Sequence, residues 1–372
     1  QYGYLYYNKP PFYNWVIGSS FNLFGTINEF ALRFPGVLSL LLTAFIIYFI
    51  GKDYLNKRVA LLGAGIFLTM ADLLFYGSIN AGEIDLFYTF VVIAQISSIF
   101  YFFQKKKWFW LFFVSYFFVT IGLLSKGLPS LAFQGLTLLA YFIYKKEFKR
   151  LFHWSHFAAI FMMLGLTVAY FAAYSEYGDA LGYAVNIFKQ ASQRSANESS
   201  LLKTISQLLI FPPMFLSKLL PWSLAILLLI YKPIRAALIR NEWTLFLIIF
   251  IIVNIPIYWT APDIRIRYTY MFFPVLGVLF AQILHLGIKE APKMSEVITK
   301  VFQGASIIVG VCLLILALPI TELEINYRII LAVLGLLVLA ASWLYVKCDE
   351  KQLSFWWLIL IIGFVRLGYN LV

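Results

Sequence analysis

The chain has 372 residues, of which 62% are hydrophobic and 12% charged. Soluble domains carry about 25% charged residues, so a soluble globular protein is excluded and an integral membrane protein is indicated. The net charge of +12 does not point to nucleic acid, because the basic residues fall in short clusters between apolar runs and form no continuous basic face.

The opening stretch reads Tyr4-Leu5-Tyr6-Tyr7-Asn8-Lys9-Pro10-Pro11-Phe12-Tyr13-Asn14-Trp15. A residue before proline is pushed toward extended geometry, while Pro10 fixes the backbone and Pro11 can open a helix at its first turn. The Lys9 ammonium is therefore presented on a stiff elbow beside a tyrosine cluster. The same features describe an interfacial anchor with a snorkelling lysine. The run 11–24 is too short and polar for a crossing and is expected to form an interfacial or re-entrant helix. With no signal peptide visible and a polar, aromatic start, further residues are expected upstream of Gln1.

Twelve apolar runs of about 17–23 residues, long enough to cross a bilayer core, follow at 33–50, 59–76, 84–103, 108–124, 128–144, 157–174, 208–230, 243–259, 268–286, 301–318, 329–346 and 355–372. Helices are the spanning element, because lipid offers the backbone no partners and the runs are too long for barrel strands. The expected fold is an all-α integral membrane protein, one domain over 1–372, with about twelve transmembrane helices plus interfacial helices. Cys312 lies in an apolar run and Cys348 in a polar loop, which makes no disulfide framework and no CxxC site.

Alternate loops carry Lys52, Lys57 and Arg58; Lys105, Lys106 and Lys107; Lys145, Lys146, Lys149 and Arg150; Lys232, Arg235 and Arg240; Lys289, Lys293 and Lys300; Lys347 and Lys351. The positive-inside rule makes this set cytoplasmic. The outer side then holds the opening stretch, Glu83, Asp85, Lys126, the segment 263–267 and the long connection 175–207. That connection is expected to be a loop with one short helix; loops of this length are usually functional.

The outer face offers cations against the trend: Lys9, Lys126, Arg265 and Arg267. Lys126 sits in Ser125-Lys126-Gly127-Leu128-Pro129, between two spans with almost no loop, and Arg265 and Arg267 flank Ile266 in an extended-looking segment. Cations near lipid are costly and usually have a partner or a purpose. Several converging at one surface would make a phosphate site; interfacial anchoring is the plain alternative. Glu83 and Asp85 stand two apart at the mouth of a span and would not share a helix face. Glu83 is then expected to cap the helix and Asp85 to be the functional carboxylate. Asp72, within a span, is a buried partner for a cation or part of a cavity, and Asp263 can pair with a neighbouring arginine. His153, His156 and His285 all lie at cytoplasmic ends, out of reach of the outer cluster, so no metal site is assigned, although a carboxylate-only Mg²⁺ or Ca²⁺ site stays open. No Walker loop or Rossmann fingerprint opens a helix.

The order Tyr7-Asn8-Lys9-Pro10-Pro11-Phe12-Tyr13-Asn14-Trp15, Phe24-Gly25, Asn28-Glu29-Phe30-Ala31-Leu32-Arg33-Phe34-Pro35 resembles the end of the first periplasmic loop of GT-C membrane glycosyltransferases, in the branch of bacterial relatives of protein O-mannosyltransferases and aminoarabinose lipid A transferases. Glu83-Ile84-Asp85 resembles that branch's acidic motif, Ser125-Lys126-Gly127 its Thr-Lys-Gly turn, Leu220-Pro221-Trp222-Ser223 its Pro-Trp-Ser motif, and Arg265-Ile266-Arg267-Tyr268 with Pro274 its Arg-Tyr and following proline. There are departures. Family members usually begin with one more span, thirteen in all, followed by an early acidic motif that would hold the main base; Asn8 stands where aminoarabinose transferases have Glu; and the long-loop histidine is replaced within Ile187-Phe188-Lys189-Gln190-Ala191-Ser192-Gln193-Arg194.

The resemblance implies transfer of a sugar from a polyprenyl-phosphate donor to a lipid, glycan or protein acceptor at the periplasmic face of a bacterial inner membrane. It makes 1–32 the second half of the first periplasmic loop. Lys9, Lys126, Arg265 and Arg267 would bind the donor phosphate, Asp85 and Glu83 would position the acceptor or sugar, and Tyr6, Tyr7, Asn8 and Tyr268 would line the site. The other class open to such a sequence is a transporter or lipid flippase, which would show broken helices in matching positions of two halves. Pro212-Pro213 and Pro221 are expected to break one span, with no counterpart in another half.

Overall fold

A backbone amide in hydrocarbon must find its partner within its own segment, and in the computed structural model every regular element among the described residues is helical. The structure describes residues 10–75, 79–193, 201–261, 265–319, 324–347 and 351–369. The helices are α1 Phe12–Phe24, α2 Glu29–Tyr54, α3 Lys57–Leu68, α4 Ala71–Phe75, α5 Ile84–Gln104, α6 Trp108–Lys126, α7 Pro129–Tyr144, α8 Trp154–Ser175, α9 Ala180–Gln193, α10 Leu201–Lys218, α11 Lys232–Arg240, α12 Glu242–Asn254, α13 Pro256–Trp259, α14 Phe273–Glu290, α15 Pro292–Leu316, α16 Ile325–Lys347 and α17 Lys351–Tyr369, with 3₁₀ segments at Phe148–Phe152, Trp222–Ile230 and Ile266–Phe272.

Among the described residues, helical structure covers most of each of the twelve apolar runs, but the helix lengths differ. Among the described residues eight helical spans are long and apolar enough to cross a membrane, and a ninth is a pair bent by 119° between 205–218 and 222–230. The runs 128–144 and 355–372 give shorter apolar helices. The run 59–76 stops being one helix at Thr69, where α3 gives way to the five-residue α4. α1 ends at Gly25, whose φ of 63° is the left-handed cap that glycine adopts without penalty.

The long connection is more helical than its polar composition implied, since α9 occupies its centre and α10 begins before the apolar run does. α9 is amphipathic: Tyr183 is buried against Phe171 and Tyr174, while Leu181 and Val185 are exposed. Of the extended-looking segment before α14, residues 262–264 lie outside the described residues, Arg265 is extended (φ −85°, ψ 133°), and from Ile266 the chain winds into the 3₁₀ turn Ile266–Phe272. Pro212 and Pro213 do not break a span either. They lie inside continuous α10. Proline at 212 removes the amide that would reach the carbonyl four residues back, and the Trp259 indole N–H donates to that Leu208 oxygen at 2.9 Å instead. The bend falls later, at Leu220-Pro221, a cis peptide.

The helices form two compact units. The first comprises Gln1–Ile50, Ser78–Leu216 and Glu242–Val275. Its centre is α5, apolar all round and buried on most of its length, packed against α6, α7 and the 3₁₀ turn Ile266–Phe272. Three side-chain bonds tie the inside of this bundle: Gln95 Nε2 donates to Gln134 Oε1 at 3.0 Å, Gln134 Nε2 to Ser115 Oγ at 2.7 Å, and Tyr88 OH meets Ser130 Oγ at 2.9 Å. Gly122 lets α6 approach α7 closely, because a Cβ there would lie 2.2 Å from Ser130 Oγ. These contacts fix the tight α6–α7 hairpin that carries Lys126.

The second unit comprises Gly51–Gly77, Ser217–Asn241 and Leu276–Val372. α15, α16 and α17 pack as consecutive neighbours around Leu313, Leu331 and Val338. Elsewhere in this unit two helix breaks meet. Trp222 Nε1 donates to Thr69 Oγ1 at 3.0 Å, the Ala71 amide donates to the Leu220 carbonyl at 3.3 Å, and Lys218 Nζ lies 3.5 Å from Asp72 Oδ1. Groups released by each break are thus taken up at the other.

Candidate active site

Two carboxylates and two cations meet at the start of α5 within the first unit. Glu83 precedes the helix with extended backbone (φ −75°, ψ 150°) and makes no side-chain capping bond. Its carboxylate pairs instead with Arg267 Nη1. The expected capping role of Glu83 is therefore corrected: an extended residue before the first turn can aim away from its helix. For the same reason Glu83 and Asp85, two apart, both reach one guanidinium; Asp85 Oδ2 lies 3.8 Å from Arg267 Nε.

Asp85, in the first turn of α5, is 2% exposed, and its Oδ1 accepts from Lys126 Nζ at 2.5 Å. Lys126 is the last residue of α6; Gly127 ends that helix at φ +91° and Pro129 starts the next. The lysine side chain is 5% exposed and its ammonium also faces the rings of Tyr88 and Tyr268, at 4.8 and 5.1 Å from their centroids. Arg267 lies 5.8 Å from the Tyr268 ring and is half-buried. Two of the four cations that the sequence offered as phosphate ligands, Lys126 and Arg267, thus come with counter-charges, and the quartet is formally neutral. Buried ions persist when paired and further bonded. The arrangement orients Lys126 and Arg267 on rigid supports and concentrates charge in a region of low dielectric.

Tyr13 completes the cluster and was not singled out by the sequence. α1 lays it against Ile84, Phe87 and Val91 of α5, with ring centroids 5.4 Å apart at Phe87. The residue is 4% exposed and its hydroxyl has no hydrogen-bond partner. Burial, then the negative charges of Asp85 and Glu83, push the phenol up to about 12, so it stays an O–H donor at neutral pH. The sequence signal was slight: Tyr13 and Ser20 are the buried positions of an otherwise anchor-like helix.

Other predicted residues fall elsewhere. Arg265 is exposed at the start of the 3₁₀ turn and pairs with no acid among the described residues. Tyr6, Tyr7, Asn8, Lys9 and Asp263 lie outside the described residues. Asp72 belongs to the second unit, where Lys218 is the cation beside it. Among the described residues no three His, Cys, Asp or Glu side chains are grouped to hold a metal.

Two comparisons bear on this geometry. Residues 8–174 match the family model for dolichyl-phosphate-mannose-protein mannosyltransferase, a stretch containing Tyr13, Glu83, Asp85 and Lys126. The crystal structure of ArnT from Cupriavidus metallidurans bound to undecaprenyl phosphate is similar over 98% of this chain and 66% of that one, with a TM-score of 0.70 at 18% identity. This is a GT-C fold. The apo form of the same protein matches over the same shares with a TM-score of 0.61 and 18% identity. The chain therefore spans just under two thirds of the length of the solved relative. No curated protein matches it. Both comparisons agree with the resemblance to GT-C membrane glycosyltransferases read from the motifs, and the apolar helical spans make the chain a multi-pass membrane protein.

Proposed function

We propose that the chain transfers a sugar from a polyprenyl-phosphate donor to a lipid, glycan or protein acceptor at the outer, periplasmic face of a bacterial inner membrane. The observation that carries this reading is the Glu83–Arg267–Asp85–Lys126 quartet at the mouth of α5 in a GT-C fold, with Tyr13 presenting an unpartnered hydroxyl beside it. A lipid phosphate is a good leaving group and needs positive charge where its own negative charge develops. Lys126 and Arg267 supply fixed charge there, Arg265 adds positive charge beyond the neutral quartet, and Lys9 joins them on the strength of the motif alone. Asp85 positions the acceptor or sugar and holds Lys126; Glu83 holds Arg267 for bidentate contact. Tyr6, Tyr7, Asn8 and Tyr268 line donor or acceptor. The undecaprenyl phosphate in the solved relative supports a polyprenyl carrier, and the alternation of basic loops supports twelve crossings with this site outside.

The meeting of two helix breaks in the second unit favours a second reading, a lipid or glycolipid flippase, because discontinuous helices recur in transporters. One experiment separates the two. Membranes carrying the full chain are given a radiolabelled polyprenyl-phosphate sugar and total envelope lipids as acceptor. Covalent transfer is expected for wild type and for Lys105→Gln, and none for Lys9→Ala at equal membrane insertion. Full transfer by Lys9→Ala would remove the phosphate role of Lys9, and donor movement across the bilayer without a new glycosidic bond would establish the flippase.

A further inference from the structure

The loops that join α5 to α6 and α7 to α8 are built alike, and neither serves the charge quartet. α5 ends in a pair of reverse bonds, Lys107 N–H to Phe102 O at 2.9 Å and Lys106 N–H to Phe103 O at 3.0 Å. α7 repeats the pattern with Glu147 N–H to Phe142 O at 2.8 Å and Lys146 N–H to Ile143 O at 3.0 Å. This cap needs one left-handed residue, usually glycine. Here it is Lys106 at φ 53° and Lys146 at φ 58°. An L side chain adopts that conformation at a cost, so a lysine has been kept twice where glycine would be easier.

The two loops adjoin. The Arg150 guanidinium stands 5.2 Å from the Trp108 ring, and Phe109 and Trp154 lie 5.9 Å apart. The acids nearby are already engaged: Glu147 with Arg150, and Glu242 with Lys145. Lys106, Lys107, Lys146 and Lys149 are exposed and pair with no acid among the described residues. A cavity of about 560 Å³ is lined by Lys146, Lys149 and Arg150, by Glu147, whose carboxylate is held by Arg150, by His153, and by Phe148 and Phe152, which are 42% and 66% exposed. Apolar rings exposed at the ends of spanning helices sit at headgroup level, and unpaired ammonium groups among them complement a phosphodiester.

We infer that this cavity binds the headgroup of an anionic glycerophospholipid, with Lys146 and Lys149 on the phosphate and Phe148 and Phe152 against the acyl–glycerol boundary. The binding is noncovalent and independent of any transfer reaction. Each lysine near an anionic lipid surface is worth about fivefold in affinity.

The test is native mass spectrometry of the full chain in detergent, titrated with phosphatidylglycerol or with phosphatidylcholine. Phosphatidylglycerol should be retained preferentially, and Lys146→Gln with Lys149→Gln should weaken that retention at least tenfold, about the square of the single-lysine effect less any residual contact from Arg150. Lys52→Gln with Lys57→Gln removes equal charge from another basic loop and should change retention less than twofold. Lys146→Gly keeps the cap and relieves its backbone, so it should weaken retention while raising Tm by about 2 °C; a fall in lipid binding with intact folding then reports the lost ammonium. Equal losses in the two double variants would show diffuse charge and overturn the site. Displacement of phosphatidylglycerol by millimolar inorganic phosphate would make it a soluble-anion site and overturn the lipid assignment.

Discussion

The two buried acid–lysine pairs, Asp85–Lys126 in the first unit and Asp72–Lys218 in the second, use the same chemistry for different ends. Asp85 and Lys126 are 2% and 5% exposed, at the ends of continuous helices, and are joined by a second acid–cation pair, two rings and an unpartnered phenol. Asp72 is 6% exposed but Lys218 is 25% exposed, and around them the neighbouring bonds close helix breaks. A charge pair whose surroundings are all satisfied maintains a shape. One that sits beside an unfulfilled donor is arranged toward something that arrives later.

The sharpest way to break this contrast is Lys126→Ala. It leaves Asp85 charged and buried, which costs about 3–5 kcal/mol, and transfer should be lost. Lys126→Ala with Asp85→Ala should recover much of the stability, read by thermal melting in detergent, and none of the transfer. Recovery of both would mean that the quartet is a structural lock like its counterpart. Asp72→Ala should cost less, about 1–3 kcal/mol, because the more exposed Lys218 can rehydrate, and should leave transfer within about threefold at temperatures where the protein stays folded. A hundredfold loss of transfer there would give the second pair a part in the chemistry.

How far these regions were legible in the sequence follows the same division. The helical content, the unusual cations and the acidic motif were readable because lipid imposes long apolar runs and makes every intramembrane charge conspicuous. The pairings were not. Asp85 and Lys126 are forty-one residues apart, and Glu83 meets Arg267 across a distance in the chain that no periodicity encodes. The helix break at Thr69 carries no proline or glycine of its own; it is fixed by Trp222 and Leu220 from far along the chain. Conversely, Pro212-Pro213 read as a break because the indole of Trp259, which rescues the Leu208 carbonyl, is equally remote. Local signals mark where a helix is at risk, and tertiary partners decide whether it yields.

Tyr13→Phe sharpens the comparison with little disturbance to the fold. The hydroxyl has no partner to lose, so stability should stay equal or rise slightly, since burying an unpaired hydroxyl is unfavourable. Transfer should fall about tenfold, the worth of one hydrogen bond to a charged group, with the loss in kcat/KM. An unchanged rate would return Tyr13 to the role of an aromatic anchor.

The smallest effect is a matter of pH, and its sign is fixed by the cluster. The Tyr13 phenol is raised from 10 to about 12, by burial first and then by Asp85 and Glu83. The folded state therefore holds a proton between pH 10 and 12 that the unfolded state releases. Stability falls with pH wherever the folded state binds more protons, so the contribution is fully present below pH 10 and is lost as pH rises toward 12. Lysines and other tyrosines titrate over the same range, which makes the difference between wild type and Tyr13→Phe the useful quantity. That difference should be flat from pH 7 to 9 and then move in favour of the phenylalanine variant up to pH 12. Adding Glu83→Gln should narrow the window, because one of the two negative charges holding the proton is gone. A constant difference across the whole range would place the hydroxyl in water, and the contrast between a waiting donor and a satisfied lock would fail at that residue.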